Sequence, residues 1–272
     1  MRSGRPSLTA RWVAAHRARL ERRRPSTPGG DVAGERRLYR DVSSVFAIPL
    51  GRPTGMAERT AFVDNEVARA IGHSVDQIVI LGAGYDGRAL RFGGGPTRWF
   101  EIDFPSTQAD KRRRLSALGV EPKAVAYIGL DLMQSHAEED LGEALAAAGH
   151  DPDRPSLFLC EGLFAYLTLE VVASLCTTLR ARAPEGSALV ATVLVVPETG
   201  SRGQALRGAV DRLLRLIGES RRSEYYPGDA QKLMVVTGWQ VARSQVSAPS
   251  RIAQGSHLLV FAAEPDPDWP RR

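Results

Sequence analysis

The chain has 272 residues, of which 43% are hydrophobic, and it carries a formal net charge of +5. This length and apolar content suffice for a packed core, which excludes disorder over the whole chain. Residues 1–24 hold eight arginines and one acid, a local charge of +7, so the other 248 residues sum to −2. The positive charge therefore belongs to one segment, and a nucleic-acid partner is not expected.

Cysteines and apolar runs narrow the class of protein further. Cys160 and Cys176 are too few for a disulfide framework or a cysteine-rich zinc site, and no metal site is predicted. The longest nearly unbroken apolar run, residues 188–196, is far shorter than the ~20 residues that cross a bilayer. The first residues lack the continuous apolar stretch of a secretory signal. We therefore expect a cytoplasmic protein without a membrane partner.

The N-terminal residues are predicted to form a helical arm. Leu8, Trp12 and Ala15 recur at helical spacing, and a loop rich in proline and glycine follows over residues 25–34. A second helix is predicted over residues 57–71, ending at Gly72. We expect the arm, residues 1–56, to act as a lid.

From residue 77 onward, short apolar runs alternate with helical patterns, which is typical of an α/β fold with a mostly parallel sheet. The predicted strands are residues 77–81, 98–102, 124–128, 156–160, 187–196 and 257–263, with a further strand at 238–246 that pairs with the last. Such a late hairpin makes one end of the sheet antiparallel. Residues 197–231 are predicted to form a helical insertion, and the basic run at residues 111–114 is expected to be a solvated helix face.

A glycine-rich loop follows the first predicted strand. Gly82, Ala83 and Gly84 allow a tight turn and a close approach of a ligand to the backbone. Glu101 and Asp103 end the second strand about 20 residues later, where an acid receives the ribose hydroxyls of an adenosine ligand. The order of strand, loop, helix and acid predicts a nucleoside-type ligand.

Two ligand classes fit this arrangement. A nicotinamide dinucleotide brings a pyrophosphate, whereas S-adenosylmethionine brings an amino acid and a positively charged sulfur. Acids follow the strands that face the predicted crevice, namely Asp86, Asp131 and Glu161. Because such a row of carboxylates attracts a cation and repels a pyrophosphate, it favours S-adenosylmethionine.

Four segments of the sequence resemble the leucine carboxyl methyltransferase family. They are ILGAGYDGRALRF at 80–92, WFEIDFPSTQADKRRRL at 99–115, GLDL at 129–132 and LFLCEGLFAYLTLEVV at 157–172. The resemblance extends over about residues 8–263. It implies one Rossmann-like class I methyltransferase domain over residues 1–272, with a seven-stranded sheet, an antiparallel last strand and the 197–231 insertion over the substrate site.

The resemblance also implies roles for individual residues. Arg59 matches the arginine that pairs with the carboxylate of the methyl donor, and Asp103 matches the ribose contact. The remaining cofactor-binding residues implied are Gly82, Ala83, Gly84 and Asp86 of the loop, Asp131 and Leu132 around the adenine, and Glu161 beneath the donor. Where the phosphatase-type members have a lysine, this chain has Ser44 or Val45, so methylation of a phosphatase tail is not expected.

The reaction expected is methyl transfer to an oxygen of a small biosynthetic acid such as an aromatic polyketide, of the kind made in antibiotic pathways. A carboxylate is already ionised at neutral pH and needs no general base, and His16 is the histidine that could reach the crevice. We predict Tyr166 and Arg17 as substrate contacts. A methyl ether on a phenol, methylation of a peptide C-terminus, and an idle or NAD-type dinucleotide-binding module stay open as alternatives. A homodimer also stays open.

Overall fold

In the computed structural model, the described residues are 6–20, 24–44, 55–122, 124–134, 137–196, 222–247 and 257–269. Their strands form one seven-stranded sheet in the order β3-β2-β1-β4-β5-β7-β6. The strands are β1 (Gln77–Leu81), β2 (Arg98–Asp103), β3 (Val125–Gly129), β4 (Ser156–Cys160), β5 (Ala188–Val195), β6 (Trp239–Val246) and β7 (His257–Pro265).

Strands β1 to β5 are parallel, and β7 lies antiparallel between β5 and β6. Strand β1 pairs with β4, although β2 and β3 lie between them in sequence. The chain therefore adds strands on one side of β1 up to β3 and then continues on the other side of β1 with β4. In open α/β sheets, ligands bind at such a reversal, beyond the carboxyl ends of the strands. The predicted class I methyltransferase fold is confirmed by this strand order and by the antiparallel last strand.

Helices cover both faces of the sheet. They are α1 (Leu8–Arg17), α2 (Val32–Ser44), α3 (Met56–Gly72), α4 (Arg88–Arg91), α5 (Pro105–Ala117), α6 (Ala137–Ala147), α7 (Leu169–Ala181) and α8 (Asp229–Val236), with a 3-10 turn at Phe164–Tyr166. On one face Val79 and Phe158 pack with α6 and α7, and on the other Ile78 and Leu157 pack with α3. This alternation follows from the period of two in a strand.

The arm consists of α1 and α2 and packs against α4 and α5. Leu38, Tyr39 and Val42 of α2 join Leu90 and Leu115 in a small apolar cluster. The sequence predicts a helical arm but not the bounds of α2, whose segment VAGERRLYRDVSS is largely polar. Residues 197–221 of the predicted insertion lie outside the described residues, and its described part, residues 222–231, ends within the first turn of α8.

The sequence predicts no membrane-spanning segment, and the helices of the structure bear on that prediction. Searched over the part of the chain that the structure describes, no helix combines the length and the apolar character needed to span a bilayer.

Candidate functional site

The glycine-rich loop leaves β1 with a backbone that only glycine adopts readily. Gly82 has φ of 66° and Gly84 has φ of 51°, both in the left-handed region. The amide of Ala83 donates to the carbonyl of Ile102 at 3.0 Å, and the amide of Gly84 donates to Asp103 Oδ2 at 2.5 Å. The carboxylate at the end of β2 therefore fixes the loop at the end of β1.

Both acids predicted for the ribose are buried, and Glu101 is the more enclosed. Asp103 is 6% exposed and accepts from the amides of Gly84 and Phe104. Glu101 is 1% exposed and its Oε2 accepts from Lys111 Nζ at 2.5 Å. Lys111 Nζ also donates to the carbonyl of Asp86 at 2.6 Å. The expectation that residues 111–114 form a solvated face is therefore wrong for Lys111, because a buried carboxylate and a loop carbonyl draw its ammonium inward.

Two carboxylates and two guanidinium groups form a buried square at the switch point. Asp86 Oδ2 accepts from Arg17 Nη1 at 2.9 Å and from Arg88 Nη1 at 2.5 Å. Glu161 Oε2 lies 2.7 Å from Arg17 Nη2 and 2.7 Å from Arg88 Nη1. We name these four residues, Arg17, Asp86, Arg88 and Glu161, the charge square. Arg59 Nε adds a contact of 2.8 Å to Glu161 Oε1.

The charge square corrects the picture of a bare negative rim. The acids predicted at the strand ends are present, but arginines compensate Asp86 and Glu161. Burial alone would raise the pKa of Asp86, yet Arg88 and Arg17 outweigh burial and lower it from 3.8 to about 2. The pKa of Glu161 is also lowered, because Arg17, Arg88 and Arg59 outweigh its burial. Both acids therefore stay ionised well below neutral pH.

Covering groups lie directly on the loop. A Cβ placed on Gly84 would lie 2.9 Å from Ala10 Cβ of α1, and one placed on Gly82 would lie 3.1 Å from Leu163 Cδ1. Asp86 is 3% exposed and Arg17 is 5% exposed. Residues of α1 thus cover these carboxylates, and the action of the arm as a lid stays a prediction.

The remaining predicted site residues follow β3 and β4 in the chain. Asp131 follows β3, where its Oδ1 accepts from the amide of Met133 at 3.0 Å, and Leu132 is 6% exposed. Tyr166 ends the 3-10 turn after β4, and its amide donates to the carbonyl of Leu163 at 2.9 Å. The roles of these residues in binding stay predictions.

Arg88 is the central residue that the sequence reasoning missed. It is fully buried, and besides the charge square its Nε donates to Asp64 Oδ1 of α3 at 2.7 Å. Its position two residues after Asp86, in the loop-to-helix turn, is the one sequence signal that points to it. Arg17, predicted as a substrate contact, is held by two carboxylates of the protein itself. Its contact with a substrate stays a prediction.

Two observations fit the amino-acid part of S-adenosylmethionine. The space between Asp86 and Glu161 already holds a cation, the guanidinium of Arg17. Arg88 Nη2 is a buried donor without a hydrogen-bond partner among the described residues, so an acceptor such as a ligand carboxylate would satisfy it. Within the described ranges, no group of three or more His, Cys, Asp or Glu side chains is arranged so that it could hold a metal ion.

Comparison with known proteins assigns the family. A family model described as leucine carboxyl methyltransferase matches residues 44–180. A relative from Frankia alni, named a "putative S-adenosyl-L-methionine-dependent methyltransferase", is 32% identical over 249 residues, which cover 87% of this chain and 79% of the relative. A relative from Mycobacteroides abscessus with the same description is 41% identical over 131 residues, covering 47% of this chain and only 42% of the relative.

A solved structure agrees with the fold. A protein from Bordetella parapertussis, described as a "possible exported protein", is 16% identical, covers 94% of this chain and 95% of its own, and gives a TM-score of 0.50. At that identity the likeness concerns the fold alone. The matches to the family model and to the Frankia relative confirm the family and the cofactor predicted from the sequence. The chain belongs to the leucine carboxyl methyltransferase family of S-adenosyl-L-methionine-dependent methyltransferases.

Proposed function

We propose that the protein is an O-methyltransferase that forms a methyl ester on a carboxylate of a small biosynthetic acid, such as an aromatic polyketide of an antibiotic pathway. The observation that carries this proposal is the low basicity of the acids at the site. Asp86 has a pKa of about 2, since Arg88 and Arg17 overcome the effect of its burial. A group of that pKa does not remove a proton from a hydroxyl at neutral pH.

S-adenosyl-L-methionine supplies, when bound, a methyl group on a positively charged sulfur that an acceptor oxygen can displace. Asp86 and Glu161 would face the positive charge, Arg59 and Arg88 the carboxylate, and Asp103 the ribose. The role of the chain is then to orient the two reactants and to exclude water. A carboxylate acceptor arrives already ionised, so the protein has no proton to move.

Thiols do not offer a base either. Cys160 and Cys176 are both buried in the core beneath the site, and burial raises the pKa of each thiol. The thiols therefore stay protonated at neutral pH. This supports an acceptor that needs no deprotonation.

One observation favours the second candidate, transfer to a phenol. His16 precedes Arg17 on α1, and its Nδ1 donates to the carbonyl of Trp12 at 2.9 Å. In the neutral ring this leaves Nε2 as an acceptor, which a general base requires. Transfer to a phenol needs a general base, for which this nitrogen is the candidate on α1, and the His16→Gln variant separates the two reactions.

The test is incubation of the full chain with the methyl donor and a panel of aromatic carboxylic acids, phenols and short peptides with free C-termini, followed by mass spectrometry. We expect one methyl group added to a carboxylic acid, lost again in mild base, with turnover retained in His16→Gln. A base-stable product that disappears in His16→Gln would establish the phenol reaction instead. Methylation of the peptides alone would assign a C-terminal carboxylate.

Binding controls address the other class of function. Calorimetry with S-adenosylmethionine and with NAD should show binding of the first alone, with at least tenfold weaker binding in Asp103→Asn. Binding of NAD alone would reject methyl transfer. We include in the proposal a cytoplasmic location and a small-molecule acceptor, with no nucleic-acid or membrane partner.

A further inference from the structure

Arg17 lies between the two carboxylates of the charge square. Its guanidinium spans Asp86 and Glu161, with contacts of 2.9 Å and 2.7 Å, and the residue is 5% exposed. Apart from Arg17, both carboxylates form ion pairs with Arg88, and Glu161 forms a further ion pair with Arg59. The contacts among Asp86, Arg88 and Glu161 therefore do not depend on Arg17.

Polar contacts help to hold the helix that carries Arg17 on the core. Arg11 of α1 donates to Asp110 at 3.2 Å and to the hydroxyl of Tyr85 at 3.3 Å. Ser7 accepts from the amide of Ala10 and so caps the helix. Ala14 is the buried apolar side chain that α1 contributes to the neighbouring cluster. The side chains that α1 adds to this cluster, Ala14 and Ala10, are small, so displacing the helix uncovers little of the apolar surface of the cluster.

We propose that Arg17 is an internal competitor of the methyl donor: its guanidinium occupies the cation position between Asp86 and Glu161 until the donor displaces it, and it thereby sets the donor affinity. The proposal rests on the proposed function, since it requires the donor to bind at these carboxylates. The exchange conserves charge, because S-adenosylmethionine and arginine each carry a single net positive charge. Because Arg88 and Arg59 stay on the two buried carboxylates throughout the exchange, these acids never have fewer cations than anions nearby.

Competition of this kind has a distinctive consequence. A ligand whose site is free in only a fraction of the molecules binds with its affinity reduced by that fraction. Removing the competitor therefore strengthens binding, whereas removing a residue that contacts the ligand weakens it. A residue with a purely structural role changes stability and leaves the affinity of the folded protein unaltered.

The experiment is calorimetry of S-adenosylmethionine and S-adenosylhomocysteine binding to the full chain and to the variants Arg17→Gln, Arg17→Lys and Arg19→Gln. Arg19 is exposed and lies two residues beyond the end of α1, so its replacement removes the same charge without emptying the position between Asp86 and Glu161. We expect Arg17→Gln to bind both ligands about tenfold more tightly, Arg17→Lys to lie between it and the wild type, and Arg19→Gln to match the wild type. Circular dichroism and thermal melting check that each variant is folded.

Each other outcome decides the matter. If the folded Arg17→Gln protein binds the donor no more tightly than the wild type does, Arg17 is not a competitor. The proposed function still stands in that case, provided that the wild-type protein binds the donor. Equal tightening in Arg19→Gln assigns the effect to the overall charge of the arm and likewise rejects it. If neither ligand binds to any folded variant, the proposed function fails and the competitor fails with it.

Discussion

The central sheet and the N-terminal arm are held by different kinds of interaction. In β1 and β4 every residue is buried, and their side chains pack on helices at both faces. The arm has a smaller apolar cluster, and its arginines reach carboxylates of other elements: Arg24 contacts Asp64 of α3 at 2.6 Å, and Arg17 contacts Glu161 after β4 at 2.7 Å.

This difference bears on which part of the molecule can move. Apolar burial has no direction and is lost only when the packed surfaces separate. An ion pair instead depends on a single group of opposite charge in the right position. A different cation in that position can therefore replace the first. We therefore expect the arm to open while the sheet stays folded.

The largest effect should come from the sheet. Phe158 at the centre of β4 is fully buried, with its ring centroid 6.4 Å from that of Trp239. Phe158→Ala should lower the free energy of unfolding by about 4 kcal/mol, because it removes an aromatic side chain from a close-packed core. Urea denaturation measures this. Val236→Ala on α8, where the side chain is 64% exposed, serves as the control and should change stability by about 0.5 kcal/mol at most.

The next effect tests whether the arm opens separately. Glu35 of α2 is fully buried, and its Oε2 accepts from Arg91 Nε at 2.5 Å. Glu35→Gln leaves Arg91 without its anion, at a cost of about 3 kcal/mol. Hydrogen exchange should show faster exchange in α2 by about 100-fold with a smaller change in β1.

A matched variant on the same helix completes that test. Arg37 lies 3.9 Å from Asp31, and both side chains are about half exposed. Arg37→Gln should alter exchange little, since exposed ion pairs contribute about 0 to 1 kcal/mol. If Glu35→Gln accelerates exchange in β1 as much as in α2, the arm and the sheet open together and the comparison fails.

Acid should weaken the charge square before it affects apolar packing. The pKa of Asp86 is lowered from 3.8 to about 2, so between these pH values the unfolded chain binds more protons at this group than the folded one. The contribution of Asp86, about 2 kcal/mol, is present above pH ~4 and is lost as the pH falls toward 2. Denaturation at several pH values should show this slope, and Asp86→Asn should lack it. An identical slope in the variant would place the pH dependence elsewhere.

The smallest effect concerns the contact between arm and loop. Gly84→Ala should cost about 1 kcal/mol, since its φ of 51° and the nearby Ala10 Cβ both oppose a side chain. A double-mutant cycle with Ala10→Gly separates the causes. The close approach predicts a favourable coupling between the two replacements, whereas purely additive costs would leave backbone strain as the whole explanation.

Most of the strands could be predicted from sequence because they are short, largely apolar runs; β6, WQVARSQV, is the exception. The bounds of β1 and β4 agree with the prediction at both ends, and β2 extends one residue further, to Asp103. The loop and Asp103 were also predictable, since both adjoin strands whose ends share one rim. These features depend on neighbours close in sequence.

The partners of the buried charges could not be predicted in this way. Arg17 and Glu161 are 144 positions apart, so no local spacing relates them. Lys111 lies in a basic run that resembles an exposed helix face, and only the three-dimensional fold brings Glu101 beside it. A charged residue in a sequence gives no sign of whether its counterion lies in water or in the protein.

The place of β7 has a consequence for how the chain is made. One side of β5 pairs with β4, and the other side pairs with β7 over Leu189 to Val195 of β5. During synthesis β5 emerges well before β7. Until residue 265 has left the ribosome, the growing sheet presents an unpaired edge to other chains. We therefore expect truncation before β7 to yield an aggregating product, and the nascent protein to depend on chaperones during that interval.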